Sequence, residues 1–342
     1  MEEKVSNKVG GGAAAKVYVG VDVSKGKLDV CVEGGRPCVV RNCPSAIRQK
    51  LRALASGHGD IHVCFESTGV YGLALLECCH EQGVKVSQIN ARRVRQWAEG
   101  VGVNAKTDEI DARVLCRYGR DVGPPPATRP EPWKRELREL RDLRDGWVGD
   151  KVRLEGRLEQ ASSKRAAGEL RREISRLERK IKSLDAEMAG LFKANEPSVF
   201  ARMTSVKCVG ATTACLVVAA MPEIGTLGPK RAAMLAGVAP HTRQSGGAEM
   251  PGHIGGGRMA ARNALYMSAV SGIRHNPVFK AVYKGLVARG NPPRHAITAV
   301  MRKLMELLER IAADPGFTPI QFRPPSFPPT PPFSPPLFQM TE

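Results

Sequence analysis

The sequence predicts an α/β plus α architecture: a mixed sheet domain first, a pair of long helices in the middle, and a mainly helical domain last. Three observations carry this. Early apolar residues alternate with a period of two, in Val17-Tyr18-Val19-Gly20-Val21-Asp22-Val23 and Leu28-Asp29-Val30-Cys31-Val32. From Leu170 to Leu191 they recur at alternating steps of four and three, the 3.5-residue period of a coiled-coil seam. Beyond residue 200, apolar runs of helical length are separated by Gly-rich turns.

Taken in order, residues 1–15 are expected to be a flexible leader. Two strands follow around a tight Ser24-Lys25-Gly26 turn, and Val39 and Val40 suggest a third that completes a meander. Ile47–Leu54 reads as a helix, and Ile61–Phe65 as a buried strand ending on Glu66. Then come a helix at Leu73–Cys79, a strand at Val84–Ile89, and helices around Arg92–Ala98 and Asp108–Tyr118. Three antiparallel strands followed by alternating helix and strand is the order of a ribonuclease-H-like sheet, placed over residues 16–125. The Pro124-Pro125-Pro126 run, with Pro130 and Pro132, forces an extended linker.

Residues 131–195 then carry two apolar stripes. One runs through Leu137, Leu140, Leu143, Trp147, Leu154 and Leu158; the other through Leu170, Ile174, Leu177, Ile181, Leu184, Met188 and Leu191. A break at 160–168 makes an antiparallel coiled-coil hairpin the simplest arrangement, although pairing between chains would satisfy the same stripe. Residues 200–313 form the last domain, with its strongest helices at Thr212–Met221, Met259–Ile273, Phe279–Leu286 and Ala296–Ala312. From 314 to 342 proline and phenylalanine dominate, and a disordered or polyproline-type tail is expected.

Composition narrows the function. The 342 residues are a prior of about two domains, and a hydrophobic content of 42% excludes a wholly disordered chain. Fifty-two Lys and Arg against thirty-four Asp and Glu give a formal +18, which favours a polyanionic partner. The excess is concentrated late: residues 200–314 carry fifteen basic and five acidic side chains. No apolar run reaches the roughly 18 residues of a membrane span, and the first residues lack the order of a signal peptide. Nine cysteines without paired CxxC spacing suggest reduced thiols in a cytoplasmic protein.

Four carboxylates suggest chemistry. Asp22 sits within an apolar strand, on the face opposite Val21 and Val23, and needs a compensating cation there. Glu66 ends the second apolar strand. Asp108 and Asp111 are three apart and share one face of a helix. Converging, the four would offer hard oxygen ligands suited to Mg²⁺, and two such ions would clamp the attacking and leaving oxygens of a phosphodiester. Each has a plainer interpretation alone: Asp108 as an N-cap, Glu66 as a solvated strand end. Asp29, on the alternation of the second strand, is expected to be solvated.

Farther on, Gly237-Val238-Ala239-Pro240-His241-Thr242-Arg243-Gln244-Ser245-Gly246-Gly247 and Gly252-His253-Ile254-Gly255-Gly256-Gly257-Arg258 form an expected open loop. Ser245 is a sterically accessible hydroxyl there, although Ser-Gly-Gly alone is ordinary turn chemistry. Arg243, Arg258 and Arg262 are candidate partners for phosphate oxygens, since a guanidinium binds two at once.

The blocks GVDVSKGKLDV at 20–30, FESTGVYG at 65–72, KTDEIDARVLCRYG at 106–119, LAGVAPHTRQSG at 235–246 and GHIGGGRMAARNALYMSAV at 252–270 together resemble the insertion sequence 110 family of transposases, which includes the Piv-type DNA invertases. The resemblance implies a RuvC-like domain whose Asp-Glu-Asp-Asp tetrad falls on Asp22, Glu66, Asp108 and Asp111. It also implies a transposase domain whose nucleophile falls on Ser245. Mg²⁺ dependence, dimers pairing into tetramers, double-stranded DNA as substrate and a structured bridge RNA as guide are implied in the same way. Three rivals stand beside it: a RuvC-like endonuclease that uses water, a sugar-kinase or actin-like ATPase with GVDVSKGKLDV as its first phosphate hairpin, and a non-catalytic RNA-binding protein, which would leave the tetrad unexplained.

Overall fold

A computed structural model describes residues 16–66, 69–103, 107–245 and 248–319, with the backbone alone at 241–245 and 248–253. The expected leader and the tail from residue 320 lie outside the described residues. The chain divides into two compact units, one ending at Arg129 and the other starting at Pro130. No described helix is long and apolar enough to cross a membrane. All nine cysteines are unpaired.

In the first unit, strands β1 (Val17–Val23), β2 (Lys27–Val32), β3 (Cys38–Arg41), β4 (Ile61–Glu66) and β5 (Lys85–Ile89) form one sheet in the order β3-β2-β1-β4-β5. The first three pair antiparallel, and β4 lies parallel to both β1 and β5. Helices α1 (Pro44–His58), α2 (Leu73–Glu81), α3 (Ala91–Gly100) and α4 (Asp108–Val122) complete the RNase-H-like domain.

The period of two sorts each strand onto two faces. Val19, Val21, Leu28, Val30, Val63 and Phe65 are buried with Ile47, Leu51 and Leu54 of α1 and Leu75 of α2. Tyr18, Cys31 and Cys64 are buried on the opposite side with Ala112, Leu115 and Cys116 of α4. There Gly20 lets two backbones meet, for a Cβ on it would fall 2.0 Å from the Ala112 carbonyl oxygen and 2.3 Å from the Cys116 nitrogen. The Cys116 thiol donates to the Tyr18 carbonyl at 3.2 Å. Because residues 112–116 lie over Gly20 and Gly119 lies over Tyr18, the first turn of α4 reaches the end of β1 that carries Asp22.

The proline-rich stretch runs extended beside β5, where Ala127 N–H donates to the Val86 carbonyl at 2.7 Å. Ser87 Oγ donates to the Pro125 carbonyl at 2.7 Å, so the fully buried His62, 2.8 Å away, carries its own proton on Nε2 and donates to Ser87. Burial, aided by Lys16 and Lys85, pushes the His62 imidazole down to about 4. The folded protein therefore keeps His62 neutral while the unfolded chain takes up a proton near pH 6.5. Its contribution to stability is intact above that pH and is lost as pH falls from 6.5 towards 4, with a slope of up to about 1.4 kcal/mol per pH unit. Urea melts at pH 7.5, 6 and 5 should show this slope reduced in His62→Gln; an equal slope in both proteins would refute it.

In the second unit, α5 (Pro132–Glu159) and α6 (Lys164–Asn195) are the expected pair of long interacting helices. Arg144 donates to Asp185 at 2.6 Å and Lys151 meets Glu178 at 2.8 Å across the pair. Large apolar side chains are deeply buried at one end: Trp133, Leu137, Met188 and Phe192 enter the core of the C-terminal helices, while Leu170, Ile174 and Leu177 stay half-buried. The C-terminal helices are α7 (Pro197–Thr204), α8 (Ala211–Ala220), α9 (Pro229–Leu235), α10 (Met259–His275), α11 (Pro277–Ala288) and α12 (Pro293–Ala313). The nearly all-apolar α8 lies buried among them. Glu309 of α12, fully buried, accepts the Gly225, Leu227 and Gly228 N–H groups at 2.9, 2.8 and 2.8 Å, and so fastens the turn that starts α9.

The expected open loop between α9 and α10 is instead a two-stranded ribbon, β6 (Pro240–Ser245) and β7 (Ala248–Ile254), antiparallel with Ser245 opposite Ala248. Its strands lack apolar alternation and pair through the backbone, so periodicity could not reveal them. The signal was the Gly246-Gly247 pair, the composition of a two-residue hairpin turn.

Candidate metal centre and serine-bearing ribbon

The β1–β2 hairpin sets the centre. Its register places Asp22 directly opposite Asp29 on the face that α4 covers. Thr107 caps α4 by accepting the Ile110 N–H at 3.3 Å, so Asp108 is not the capping residue and its side chain points elsewhere. Oxygen atoms of Asp22, Asp29 and Asp108 lie within 4.8 Å of one another. Asp29 is only 7% exposed, which corrects the expectation that it is solvated: its face of the sheet is roofed by a helix rather than by water. Its buried Oδ2 accepts no well-directed hydrogen bond, with the Lys27 ammonium 3.0 Å away. That ammonium also donates to Asp108 at 2.8 Å.

Glu66 and Asp111 line an adjoining cleft of about 270 Å³, together with Arg92 and Arg95 of α3 and an apolar floor that includes Val94, Val114 and Leu115. Burial, then Asp111 and Asp108, raise the Asp22 carboxyl above the usual carboxylate range. Lys27 holds Asp108 below it. A strand carboxylate that its neighbours discourage from ionising, with oxygens of two further carboxylates within 4.8 Å, fits a site for a hard divalent cation. The oxygen-only donor set suits Mg²⁺ over zinc. The structure thus brings Asp22 and Asp108 together, sets Asp111 and Glu66 along the neighbouring cleft, and adds Asp29, which was expected to be solvated, and Lys27, which no sequence pattern singles out. The signal for Asp29 was the tight turn, which fixes Asp22 and Asp29 as partners once Val23 pairs with Leu28.

Ser245 ends β6 in the second unit. The ribbon's base is pinned where Gly237 and Gly257, both with positive φ, cross so closely that a Cβ on Gly257 would lie 2.3 Å from the Gly237 nitrogen. Arg258 N–H donates to the Leu235 carbonyl at 2.8 Å. The Arg258 guanidinium forks onto Glu223 at 2.6 and 2.7 Å and reaches the Ala220 carbonyl at 2.9 Å. Burial would raise Glu223, but this fork outweighs it and lowers the carboxyl. The Arg262 guanidinium donates to the Gly256 carbonyl. The Arg243 side chain lies outside the described residues.

An RNase-H-like sheet with acidic groups gathered at the end of its central strand, under a helix, is a scaffold able to coordinate a divalent metal ion. A transposase family model named for a DEDD motif and IS110 matches residues 19–161, and the model described as "Transposase IS116/IS110/IS902 family" matches residues 201–284. The pilin gene-inverting proteins of Moraxella bovis and Moraxella lacunata are each 25% identical over 306 residues, covering 86% of this chain and 94% of the relative. The chain belongs to the IS110 family of transposases and is related to the Piv-type DNA invertases.

Proposed function

We propose that this protein is a transposase or site-specific recombinase that cuts and rejoins double-stranded DNA through Ser245, directed by a structured bridge RNA. The observation that carries the reading is the approach of Asp22 and Asp108, from a strand and a helix far apart in sequence, in a chain whose second half matches the same transposase family. Asp22, Glu66, Asp108 and Asp111 would hold the metal. A pair of Mg²⁺ ions, when bound, supplies positive charge to the attacking and leaving oxygens of a phosphodiester.

Ser245 Oγ attacks phosphorus, so that a serine–phosphate bond forms as the bond to the 3′ oxygen breaks. The serine proton is taken up by a carboxylate or by water and a proton is delivered from the same pool to the departing 3′ oxygen, which leaves as a hydroxyl, so that no net proton is gained or lost. A serine hydroxyl is a weak nucleophile without activation, so the ribbon must meet the carboxylates in the assembly on DNA. Arg243, Arg258 and Arg262 are the candidate partners for phosphate oxygens, the first within β6 and the other two following β7, Arg258 while holding Glu223.

In this reading residues 16–125 are the RuvC-like domain and 200–313 the transposase domain. Residues 131–195 are a coiled coil that brings protomers into dimers, which pair into tetramers in the cytoplasm at the nucleoid. The half-buried stripe along α6 supports that pairing, and the inversion named in the relatives supports recombination. Protein, bridge RNA and both DNA partners should give an SDS-resistant protein–DNA adduct that Ser245→Ala fails to form. An undiminished adduct in that variant removes the serine from the mechanism. Strand cleavage with no adduct in the parent would instead indicate an endonuclease using water.

A further inference from the structure

We infer that Lys27 is a built-in counter-ion of the metal centre: its ammonium takes the place of a divalent cation between Asp29 and Asp108 and must swing out before the cation can be held there. This rests on the reading of Asp22 and Asp108 as metal ligands and adds Asp29, whose carboxylate lies in the same cluster, to them. Asp22 and Asp29 face each other across an antiparallel pair, and Asp108 enters from the helix above. Like charges opposed in this way repel, and the positive head that lies between two of them is Lys27, 3.0 Å from Asp29 and 2.8 Å from Asp108.

Two positive charges cannot share that space. A divalent ion needs a carboxylate oxygen at about 2.0–2.6 Å, within the volume the ammonium fills. Displacement is easy. Lys27 is 43% exposed and Asp108 59%, so water screens their pair and its net worth is small, while the less exposed pair with Asp29 is exchanged for the larger charge of the divalent ion. The stem has four flexible carbons, while its root is held by the turn: Ser24 N–H donates to the Lys27 carbonyl at 3.0 Å and Ser24 Oγ at 2.9 Å. Only the head need move. Once released, it stands at the rim of the centre as a free cation within reach of an arriving phosphate.

The test titrates Mn²⁺ into the full-length protein by calorimetry at low salt, without DNA. Removing one positive charge about 5 Å from the incoming ion should tighten Mn²⁺ binding by about tenfold in Lys27→Gln. Lys27→Arg, which keeps the charge, should stay near the parent. In the parent, acylation of Lys27 read by mass spectrometry should rise several-fold on adding Mg²⁺, with Lys25 unchanged as the internal control; this measurement requires no variant to fold. Unchanged or weaker Mn²⁺ binding in Lys27→Gln, or Lys27 acylation indifferent to Mg²⁺, overturns the inference. Because no DNA is present, either result is independent of whether the serine adduct forms.

Discussion

Replacing Asp22 with asparagine should, if the carboxylate cluster holds the metal, lower DNA cleavage by about a thousandfold or more and at the same time make the protein more heat-stable when no divalent ion is bound. The two effects have one origin. Asp22 is held above its ordinary range first by burial and then by Asp111 and Asp108. A carboxyl raised in this way favours the folded state while it is protonated, and that advantage is lost as pH rises through its folded value. Once ionised, the group is a burden on the fold that a bound cation would relieve. Asparagine removes the burden together with the ligand. Thermal melts at pH 7.5 in chelator and in Mg²⁺ check this: the variant should melt above the parent in chelator and gain nothing from Mg²⁺. A variant that melts below the parent in chelator would show that Asp22 is stabilised by something other than the missing ion.

Gly20→Ala should be among the most destabilising single-methyl additions in the first unit, costing about 4 kcal/mol. The added carbon would overlap the Ala112 carbonyl and the Cys116 nitrogen, which are helix backbone and cannot turn aside like a side chain. Either β1 or α4 must withdraw. If α4 lifts, Asp108 and Asp111 move with it, so metal affinity should fall together with the urea midpoint although no ligand has changed. A midpoint within about 0.5 kcal/mol of the parent would mean that α4 does not lie on Gly20.

These two positions also show what the sequence could disclose. The alternation through Val17–Val23 exposed both the strand and the odd placement of Asp22 in it, and the triplet spacing of Asp108 and Asp111 exposed a shared helical face. Those are local patterns. What α4 does over Gly20 is not local: whether Asp29 faces water or a helix depends on an element some eighty residues away, and alternation alone cannot tell the two apart. Lys27 escaped notice because a lysine just after a turn is unremarkable until its partners arrive from β2 and α4. The Ser245 ribbon was missed because its residues carry the polarity of a loop, and the Arg258 fork because Glu223 lies in a separate element. The helices of the second unit were legible because their apolar runs are long and their turns rich in glycine or proline.

Glu309 ties the serine-bearing ribbon to the order in which the chain is made. Its carboxylate fixes the turn at 225–228, from which α9 runs to Leu235 and Gly237, and those two residues grip Gly257 and Arg258 at the ribbon's other end. On the ribosome the ribbon emerges long before residue 309 does. The sheet and its acidic centre can therefore mature on the nascent polypeptide, whereas the serine is seated only after residue 309 has been synthesised.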